Sequence, residues 1–209
     1  MPSDAPSDAP VHVVDDDLAV RQALAFLLAS DGLTVRVHES ASAYLAAVVD
    51  PGGCILTDVR MPELDGIEFL RRLRQRGPMP PVIVMTGHAD VPLAVEAMRA
   101  GAVDFIEKPF DDEVLLASVR SALAQAARSL NRAAHQSAVR ARLATLSERE
   151  RQVLDGLVAG KANKVIGLDL GISPRTVEIY RANVMAKLQA GSLSELVRMA
   201  LLAGDPHGG

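Results

Sequence analysis

Carboxylate, hydroxyl and ammonium side chains stand at the ends of four short apolar runs of this sequence, or just after them. They are Asp15, Asp16, Asp58, Thr86 and Lys108. A cluster of carboxylates repels itself unless a hard cation neutralises it, and carboxylate oxygens suit Mg²⁺, which also binds phosphate oxygens readily. One aspartate could then attack a phosphoryl donor, while the ammonium neutralises the oxygens in transfer. The chemistry open to this set is Mg²⁺-dependent phosphoryl transfer to a carboxylate.

These residues can meet only if the runs before them are parallel strands of one sheet. The runs are Val11 to Val14, Thr34 to Val37, Cys54 to Thr57, Val82 to Thr86 and Val103 to Ile106. They are rich in β-branched residues and alternate with helical patterns, which is typical of parallel βαβ units. A single aspartate at a strand end is usually a turn or cap residue. Its recurrence at successive strand ends favours a site, because ligands of doubly wound α/β sheets bind at that edge.

The chain after the fifth run is predicted to be helical for an unusual length, since residues 111–155 contain neither Gly nor Pro. Two interpretations of this segment stay open. Its apolar residues alternate steps of three and four, as in a coiled-coil seam: Leu116, Val119, Leu123, Ala126, Leu130 and Ala133. Alternatively, the first three pack on their own sheet and the remainder is a solvated linker.

Charge is distributed unevenly over the 209 residues, whose formal net charge is -4. Residues 1–126 carry 10 basic and 19 acidic side chains, a net charge of -9, whereas residues 127–144 carry 4 basic and none acidic. Residues 145–209 carry 8 basic and 7 acidic side chains. This asymmetry predicts two modules with different partners.

Several classes of protein are excluded by composition. Cys54 is the single cysteine, which excludes an internal disulfide. No apolar stretch approaches the roughly 18 residues of a membrane span, and the start has no signal-peptide pattern. We therefore expect a cytoplasmic protein without a membrane partner, and residues 1–9 are expected to form a disordered tail.

The last third of the sequence reads as helices only. Ser147 and Glu150 form a capping box, Gly171 ends a short helix, and Ser173 with Pro174 opens a longer one. A short helix, a tight turn and a longer helix are the arrangement of a helix-turn-helix, whose second helix enters the DNA major groove. Its predicted inward stripe is Val177, Val184 and Leu188, which leaves outward Arg175, Glu178, Ile179, Arg181 and Ala182. A small helical dimerisation domain with a solvated basic face is the alternative.

The first half resembles the receiver domain of two-component response regulators, in particular the FixJ-like family. The motifs that carry this resemblance are Val13 to Asp17, Thr57 to Pro62, Met85 to His88, Val91 to Met98 and Gly101 to Phe110. The resemblance implies that Asp58 is the phosphoacceptor and that Mg²⁺ is bound by Asp15, Asp16, Asp58 and the backbone carbonyl of Arg60. It also implies that Thr86 follows the phosphate, that Lys108 is its ion-pair partner and that Phe105 is the aromatic switch. Phe105 stands where many receivers carry Tyr, so its switching would rely on packing.

The second half resembles the LuxR/NarL-type DNA-binding domain, again in its FixJ variety. The matching segments are Leu146 to Leu154, Asn163 with Lys164, Ile172 to Glu178 and Arg181 to Leu188. The expected DNA-binding residues are Lys164, Arg175, Thr176, Glu178, Ile179, Arg181, Ala182, Asn183 and Lys187. The sequence departs from the family pattern at two positions. Tyr180 replaces a common histidine, and Gly167 replaces the usual alanine, at a cost of roughly 1 kcal/mol in helix stability.

The sequence is thus predicted to be a FixJ-like response regulator that acts as a transcriptional activator. Its α/β receiver would span residues 10–126, followed by a helical linker over 127–144, an all-α helix-turn-helix domain over 145–204 and a tail over 205–209. Expected partners are a FixL-like sensor histidine kinase, double-stranded operator DNA, RNA polymerase and, after phosphorylation, a second copy. The dimer is expected to use Val95, Arg99, Asp104 and Glu107, from the fourth helix and fifth strand. In this family the switch often concerns low-oxygen and nitrogen-fixation genes.

The enzymatic alternative is a phosphohydrolase that uses Asp58 as its nucleophile and carries a helical accessory domain. Hydrolases of the haloacid dehalogenase kind need an acid two residues after the nucleophile, where this chain has Arg60. A dinucleotide-binding oxidoreductase fits poorly, because Asp15 to Asp17 occupy the place of the Gly-rich phosphate loop. The predicted activity is therefore limited to Mg²⁺-dependent autophosphorylation and slow autodephosphorylation at Asp58.

Overall fold

The computed structural model describes residues 9–47, 52–88 and 90–204. The chain divides into two compact units, Met1–Leu130 and Asn131–Gly209. The tail expected over residues 205–209 lies outside the described residues, as does the tail over 1–9 apart from Ala9. Each unit is described by itself.

A parallel sheet forms the centre of the first unit. Among the described residues its strands are β1 (Val11–Val14), β2 (Val35–His38), β3 (Cys54–Asp58), β4 (Val82–Thr86) and β5 (Asp104–Glu107). They lie in the order β2-β1-β3-β4-β5, and every neighbouring pair is parallel. The predicted doubly wound fold is confirmed, with β2 and β5 starting one residue later than their apolar runs.

Helices cover both faces of this sheet. They are α1 (Leu18–Ser30), α2 (Ala41–Ala46), α3 (Gly66–Gln75), α4 (Val91–Ala100) and the start of α5 (Asp112–Ala144). The first four begin at side-chain caps, where Asp17, Ser40, Asp65 and Asp90 each accept a hydrogen bond from backbone N–H groups of the first turn. One apolar core lies under α2, α3 and α4, and a second lies under α1 and α5. Helices on both faces explain why every residue of β3 and β4 is buried and why most of these residues are apolar.

Helix α5 is 33 residues long, which confirms the prediction of an unusually long helix after the fifth strand. Its first half packs on the sheet through Leu115, Val119 and Leu123, whereas Leu130 is 43% exposed. In the single chain, therefore, the early turns bury their apolar residues in the core of the first unit, and the middle of the helix is exposed. Near its end, Val139 and Leu143 are buried in the core of the second unit, which the sequence did not indicate.

The second unit contains helices around its own apolar core. After the end of α5 these are α6 (Glu148–Val158), α7 (Asn163–Leu170), α8 (Pro174–Leu188) and α9 (Leu193–Gly204). The predicted capping box of Ser147 and Glu150 is present, and Gly171 ends α7 in the left-handed region. The predicted stripe of Val177, Val184 and Leu188 is fully buried. These features confirm the local structure expected for this segment.

Gly167 has a structural reason for lacking a side chain. A Cβ at this position would lie 2.7 Å from the carbonyl oxygen of Ile172. The turn approaches this closely because the Ile172 N–H donates to the Gly167 carbonyl at 2.9 Å. Glycine at this position lowers the helix propensity of α7, but it allows the turn between α7 and α8 to pack directly against the backbone of α7.

Two further expectations about the chain can be compared with the structure. No helix of the described residues is long and apolar enough to cross a membrane. Cys54 is fully buried in β3, and this burial raises the pKa of its thiol to about 12. The thiol is therefore protonated at neutral pH and behaves as a small apolar core group.

Candidate functional site

Two nearly buried carboxylates share one ammonium at the carboxyl edge of the sheet. Asp15 follows β1 and Asp58 ends β3, and both are less than one-tenth exposed. The Lys108 Nζ atom lies 2.9 Å from Asp15 Oδ2 and 2.7 Å from Asp58 Oδ1. Parallel strands bring these residues together although they are far apart in the sequence. The predicted meeting of Asp15, Asp58 and Lys108 is therefore present in the structure.

Backbone groups fix both carboxylates in their turns. The Arg60 N–H donates to Asp58 Oδ2 at 2.6 Å, and the Asp17 N–H donates to Asp15 Oδ1 at 2.9 Å. Arg21, which the sequence did not single out, donates from its guanidinium to the Asp15 carbonyl oxygen at 2.7 Å. Each carboxylate is thus held by a turn as well as by Lys108, so its orientation is set before any ligand binds.

The charge of Lys108 is maintained by its two partners. Burial of the ammonium by itself lowers the pKa of Lys108, but hydrogen bonds and charges of Asp58 and Asp15 raise that pKa above its usual value. Lys108 is therefore positively charged at neutral pH. The backbone N–H of the same residue donates to the Thr86 carbonyl at 2.7 Å, so β4 also helps to position the ammonium. The Lys108–Pro109 peptide bond is cis.

Three other predicted site residues, Asp16, Thr86 and Phe105, make no hydrogen bond or ion pair with the Lys108 ammonium in the described structure. Asp16 is exposed, and among the described residues no three acidic, His or Cys side chains lie close enough together to hold a metal ion. The structure therefore does not group Asp16 with the two buried carboxylates, and the role of Asp16 in the site stays a prediction. The buried Thr86 hydroxyl bonds to the backbone of His88 at 3.3 Å. Phe105 is partly buried against the core beneath α3 and α4.

The donors that are present fit Mg²⁺ better than a softer metal. Mg²⁺ needs only one or two protein carboxylates and fills its other positions with water or phosphate oxygens. Asp15 and Asp58 are close enough to bind the same ammonium, and the carbonyl of Arg60 follows in the same turn. The set is made of hard oxygen ligands without His or Cys.

A predicted dimer face lies on exposed residues of the first unit. Val95 and Arg99 are exposed on α4, and Asp104 and Glu107 are exposed on β5. Asp104 already accepts a hydrogen bond from the Ser118 hydroxyl, which leaves Glu107 as the more available acid. The sequence missed Val91 and Met98, which are 77% and 50% exposed and extend the apolar stripe of α4.

Most of the predicted DNA-binding residues lie on the exposed side of α8. The exposed ones on this helix include Arg175, Glu178, Ile179, Ala182 and Asn183, while Thr176 and Arg181 are partly buried. Lys164 is exposed on α7. The Thr176 hydroxyl lies 2.8 Å from the Ser173 hydroxyl, at the cap of α8. Tyr180 packs partly against the core, so it contributes to the packing of the helix.

Lys187, which is also exposed on α8, makes an ion pair within the second unit. Its ammonium pairs with Glu150 at 2.6 Å, and the same Glu150 carboxylate accepts the Ser147 N–H of the capping box at 2.7 Å. Twelve residues of helix place Lys187 about 18 Å from Arg175. The hydrogen bond from Lys187, followed by that from Ser147, lowers the pKa of Glu150. Lys187 thus joins the C-terminal end of α8 to the start of α6, a role that the sequence did not predict.

Comparisons with known proteins cover both units. Residues 11–120 match the response regulator receiver domain family, and residues 144–200 match the bacterial regulatory proteins of the LuxR family. The chain is 61% identical over 200 residues to the transcriptional regulatory protein FixJ of Azorhizobium caulinodans, with 95% of each protein covered. It is 53% identical over 199 residues to FixJ of Rhizobium meliloti, covering 95% of this chain and 98% of that protein.

Solved structures give the same result. The response regulator StyR matches with a TM-score of 0.83 at 36% identity, over 93% of this chain and 99% of StyR. Full-length FixJ from B. japonicum matches with a TM-score of 0.57 at 53% identity, over 95% of this chain and 98% of that protein.

A receiver domain joined to a LuxR-type DNA-binding domain defines a response regulator of a two-component system. Within that class, the chain belongs to the FixJ family of transcriptional regulators. The predicted family is confirmed. Because these relatives are transcriptional regulators, the comparisons favour a regulator over the phosphohydrolase alternative.

The link between Lys187 and Glu150 leads to a prediction about stability. Replacing Lys187 with Met leaves a buried carboxylate without its counter-charge, and we expect the free energy of unfolding of the second unit to fall by about 1 kcal/mol at pH 7. The pKa of Glu150 is lowered in the folded state, so its contribution exists above the unfolded pKa and is lost as pH falls through the folded pKa. The difference between the two proteins should therefore shrink between pH 5 and pH 3, as measured by denaturant unfolding.

Lys161→Met is the matched control, because its ion pair with Asp169 is about half exposed on both sides. That variant should unfold like the wild type at every pH. An equal loss in both variants, or a Lys187→Met loss that does not change with pH, would contradict the assignment.

Proposed function

We propose that Asp58 accepts a phosphoryl group from a sensor histidine kinase, and that the phosphorylated protein dimerises on operator DNA and activates transcription. The observation that carries the proposal is the pair of buried carboxylates, Asp15 and Asp58, sharing the Lys108 ammonium. This arrangement supplies an oriented nucleophile and a positive charge beside it. Because the proposed target is operator DNA, the proposed location of the protein is the cytoplasm.

The chain's own groups account for the transfer. An oxygen of Asp58 attacks phosphorus, the bond from phosphorus to the donor atom breaks, and the leaving group keeps the electron pair. Lys108, already bonded to Asp58, stays beside the new phosphoryl oxygens and offsets their charge. Mg²⁺, held by Asp15, Asp16, Asp58 and the Arg60 carbonyl, would add positive charge at the same oxygens.

Thr86 and Phe105 then provide the proposed switch. The Thr86 hydroxyl bonds only weakly to the backbone of His88, at 3.3 Å. A phosphoryl oxygen is a stronger acceptor, because charged acceptors roughly double the strength of a hydrogen bond. Movement of the hydroxyl toward the phosphate would release the loop after β4 and alter the space beside Phe105. Since Phe105 has no hydroxyl, its response would be a change of packing.

The assignment of Asp58 can be tested with a small phosphodonor. Asp58→Asn should abolish Mg²⁺-dependent labelling by acetyl phosphate, because the amide is a poor nucleophile, and Asp16→Ala should reduce it. The wild type should take up about one phosphoryl group per chain and then hydrolyse it slowly. Radiolabelling measures both quantities. Asp90→Asn, which alters only the cap of α4, is the control and should label normally. Undiminished labelling of Asp58→Asn would place the phosphoacceptor elsewhere.

A groove beside this site is the proposed docking surface for the partner kinase. It holds about 550 Å³ between α1 and the segment after β5, and its lining includes Phe26, Lys108, Pro109 and Phe110. Phe26 is 77% exposed, which is unusual for an aromatic side chain unless it meets a partner. Because Lys108 belongs to both the groove and the acidic site, a kinase docked in the groove would bring its phosphohistidine toward Asp58.

Two phosphoryl donors, the kinase and acetyl phosphate, can distinguish a role of Phe26 in kinase docking from a role in phosphoryl transfer. Phe26→Ala should slow transfer from a phosphorylated FixL-like kinase roughly tenfold, as expected for an aromatic anchor worth about 1.4 kcal/mol. Labelling by acetyl phosphate, which needs no docking, should be unchanged. Val37→Ala, which removes an exposed apolar side chain of β2, is the control for both assays. If Phe26→Ala slows both donors equally, the groove supports the fold and the docking proposal is wrong.

The exposed stripe of α4 supports the proposed dimer. Val91, Val95 and Met98 lie on one side of this helix and are at least 43% exposed. A shallow groove of about 410 Å³ is lined by Ala94, Val95, Met98 and Arg99. A second copy would cover this apolar stripe, and Glu107 is the exposed acid that could face Arg99 of the other copy. Phosphorylation would strengthen the contact by repacking Phe105 on the neighbouring strand.

Sedimentation tests this interface directly. The phosphorylated wild type should be dimeric at tens of micromolar, roughly the range of a weak regulated contact. The double variant Val95→Asp, Arg99→Asp should label at Asp58 but remain monomeric, because it places acids on an apolar face. Val114→Asp, on an exposed part of α5, should dimerise normally. Dimers of the α4 variant, or monomers of the phosphorylated wild type, would contradict the proposal.

The outward side of α8 is the proposed DNA-reading surface. Arg175 could donate to guanine edges, while Ile179 and Ala182 could contact thymine methyl groups. Two copies would place two such helices about one turn of DNA apart. Recruitment of RNA polymerase and control of low-oxygen or nitrogen-fixation genes are proposed on the resemblance alone. Genome-wide mapping of bound DNA with wild type and Asp58→Asn would identify operator and target genes together.

A further inference from the structure

An arginine-lined groove lies between α3 and α4, away from the acidic site. It holds about 910 Å³, and its polar lining is Arg71, Arg74, Gln75, Glu96 and Arg99. Pro92, Val95 and Ala100 supply apolar surface. A volume of this size lies within the range of small-molecule sites, roughly 300 to 1,000 Å³. The groove therefore combines several cationic donors with a partly apolar wall.

The three arginines of this groove differ in whether they are paired with an acidic side chain. Arg71 donates to Glu96 at 2.7 Å and lies 3.8 Å from Glu68. Within residues 9–47, 52–88 and 90–204, the guanidinium groups of Arg74 and Arg99 make no hydrogen bond or ion pair. Residues 1–126 have 19 acidic and 10 basic side chains, yet neither guanidinium group is paired with a described acid. Both groups can therefore donate to a bound anion.

Helix position accounts for only part of this arrangement. Arg74 and Arg99 lie in the last turns of α3 and α4, where a positive charge is favourable because of the helix dipole. That effect favours a cation at each helix end, but it does not require both guanidinium groups to line one groove. Their convergence is the feature that indicates a ligand.

We propose that this groove binds a small polyanion that carries at least two phosphate or carboxylate groups. Each guanidinium presents parallel N–H donors that match an oxyanion in a bidentate manner. Arg74 and Arg99 would each bind one anionic group, and the Gln75 amide would add an uncharged donor to the same groove. Arg71 is held by Glu96 and forms the border of the site. Binding to the unphosphorylated protein does not require Asp58, because all of these residues lie on α3 and α4. Val95 and Arg99 also belong to the proposed dimer face, so a phosphorylation-dependent dimer would cover part of the groove.

The experiment uses the unphosphorylated full-length protein without Mg²⁺, so that the carboxylates of Asp15 and Asp58 repel anions from the other site. Pyrophosphate and citrate are titrated separately by calorimetry at constant ionic strength, since salt screens exposed charges. We expect one binding site for at least one probe. Binding of pyrophosphate alone would identify a phosphate ligand, and binding of citrate alone would identify a polycarboxylate.

Variants decide whether the groove is the site. Arg74→Ala and Arg99→Ala should each weaken binding about fivefold or more, and the double variant should abolish it. Arg74→Lys should fall between the wild type and Arg74→Ala, because it keeps the charge but loses the bidentate geometry. Arg128→Ala removes an exposed arginine of α5 and should bind like the wild type. The proposal is overturned if neither probe binds below about 10 mM, or if Arg128→Ala weakens binding as much as the groove variants.

Discussion

The first unit depends on a single ammonium placed between two buried carboxylates. Two nearly buried carboxylates as close together as Asp15 and Asp58 repel each other, and removing a carboxylate from water is costly, so a counter-charge between them stabilises the fold. Lys108 supplies that charge from a position 93 and 50 residues away in the sequence. The three groups together still carry a net charge of -1, so the site attracts a cation while holding its own carboxylates in place. The edge that joins β1, β3 and the segment after β5 therefore stabilises the first unit and is also the proposed site of phosphoryl transfer.

The turns that surround this edge connect the site to the helices. Asp17 caps α1 two residues after Asp15, so the start of that helix is set by the same turn that orients the carboxylate. On the other side, a Cβ at Gly66 would lie 2.4 Å from the Asp58 carbonyl oxygen, which means that α3 begins in direct contact with the end of β3. Because the helices begin so close to the carboxylates, phosphorylation of Asp58 would reach them through a few backbone bonds, without a long chain of side-chain contacts.

The sequence could predict those features that depend on local patterns. Strand runs, helix caps and the buried stripe of α8 follow from spacing and from residue type over a few positions, and the structure confirms them. Pairings between distant residues were harder to predict. Asp16 follows Asp15 directly in the sequence, yet it is exposed and is not grouped with the two buried carboxylates. Lys187 is expected to contact DNA from the family resemblance, whereas its pairing with Glu150, 37 residues away, follows only from the fold. Arg21, whose target is the backbone carbonyl of Asp15, carried no recognisable signal. In such cases the sequence shows which side chain can donate a hydrogen bond, but only the fold determines which group accepts it.

The two ends of α8 have different physical roles, and this difference limits how DNA binding can be regulated. Its C-terminal end is fixed by the buried Leu188 and by the ion pair of Lys187 with Glu150, and Glu150 also caps α6. Its N-terminal half carries the exposed residues Arg175, Glu178 and Ile179. A helix anchored in this way keeps its conformation without phosphorylation, since its caps and its core contacts lie within the second unit. Regulation of the proposed DNA binding is therefore better explained by the number and spacing of copies than by refolding of the recognition helix.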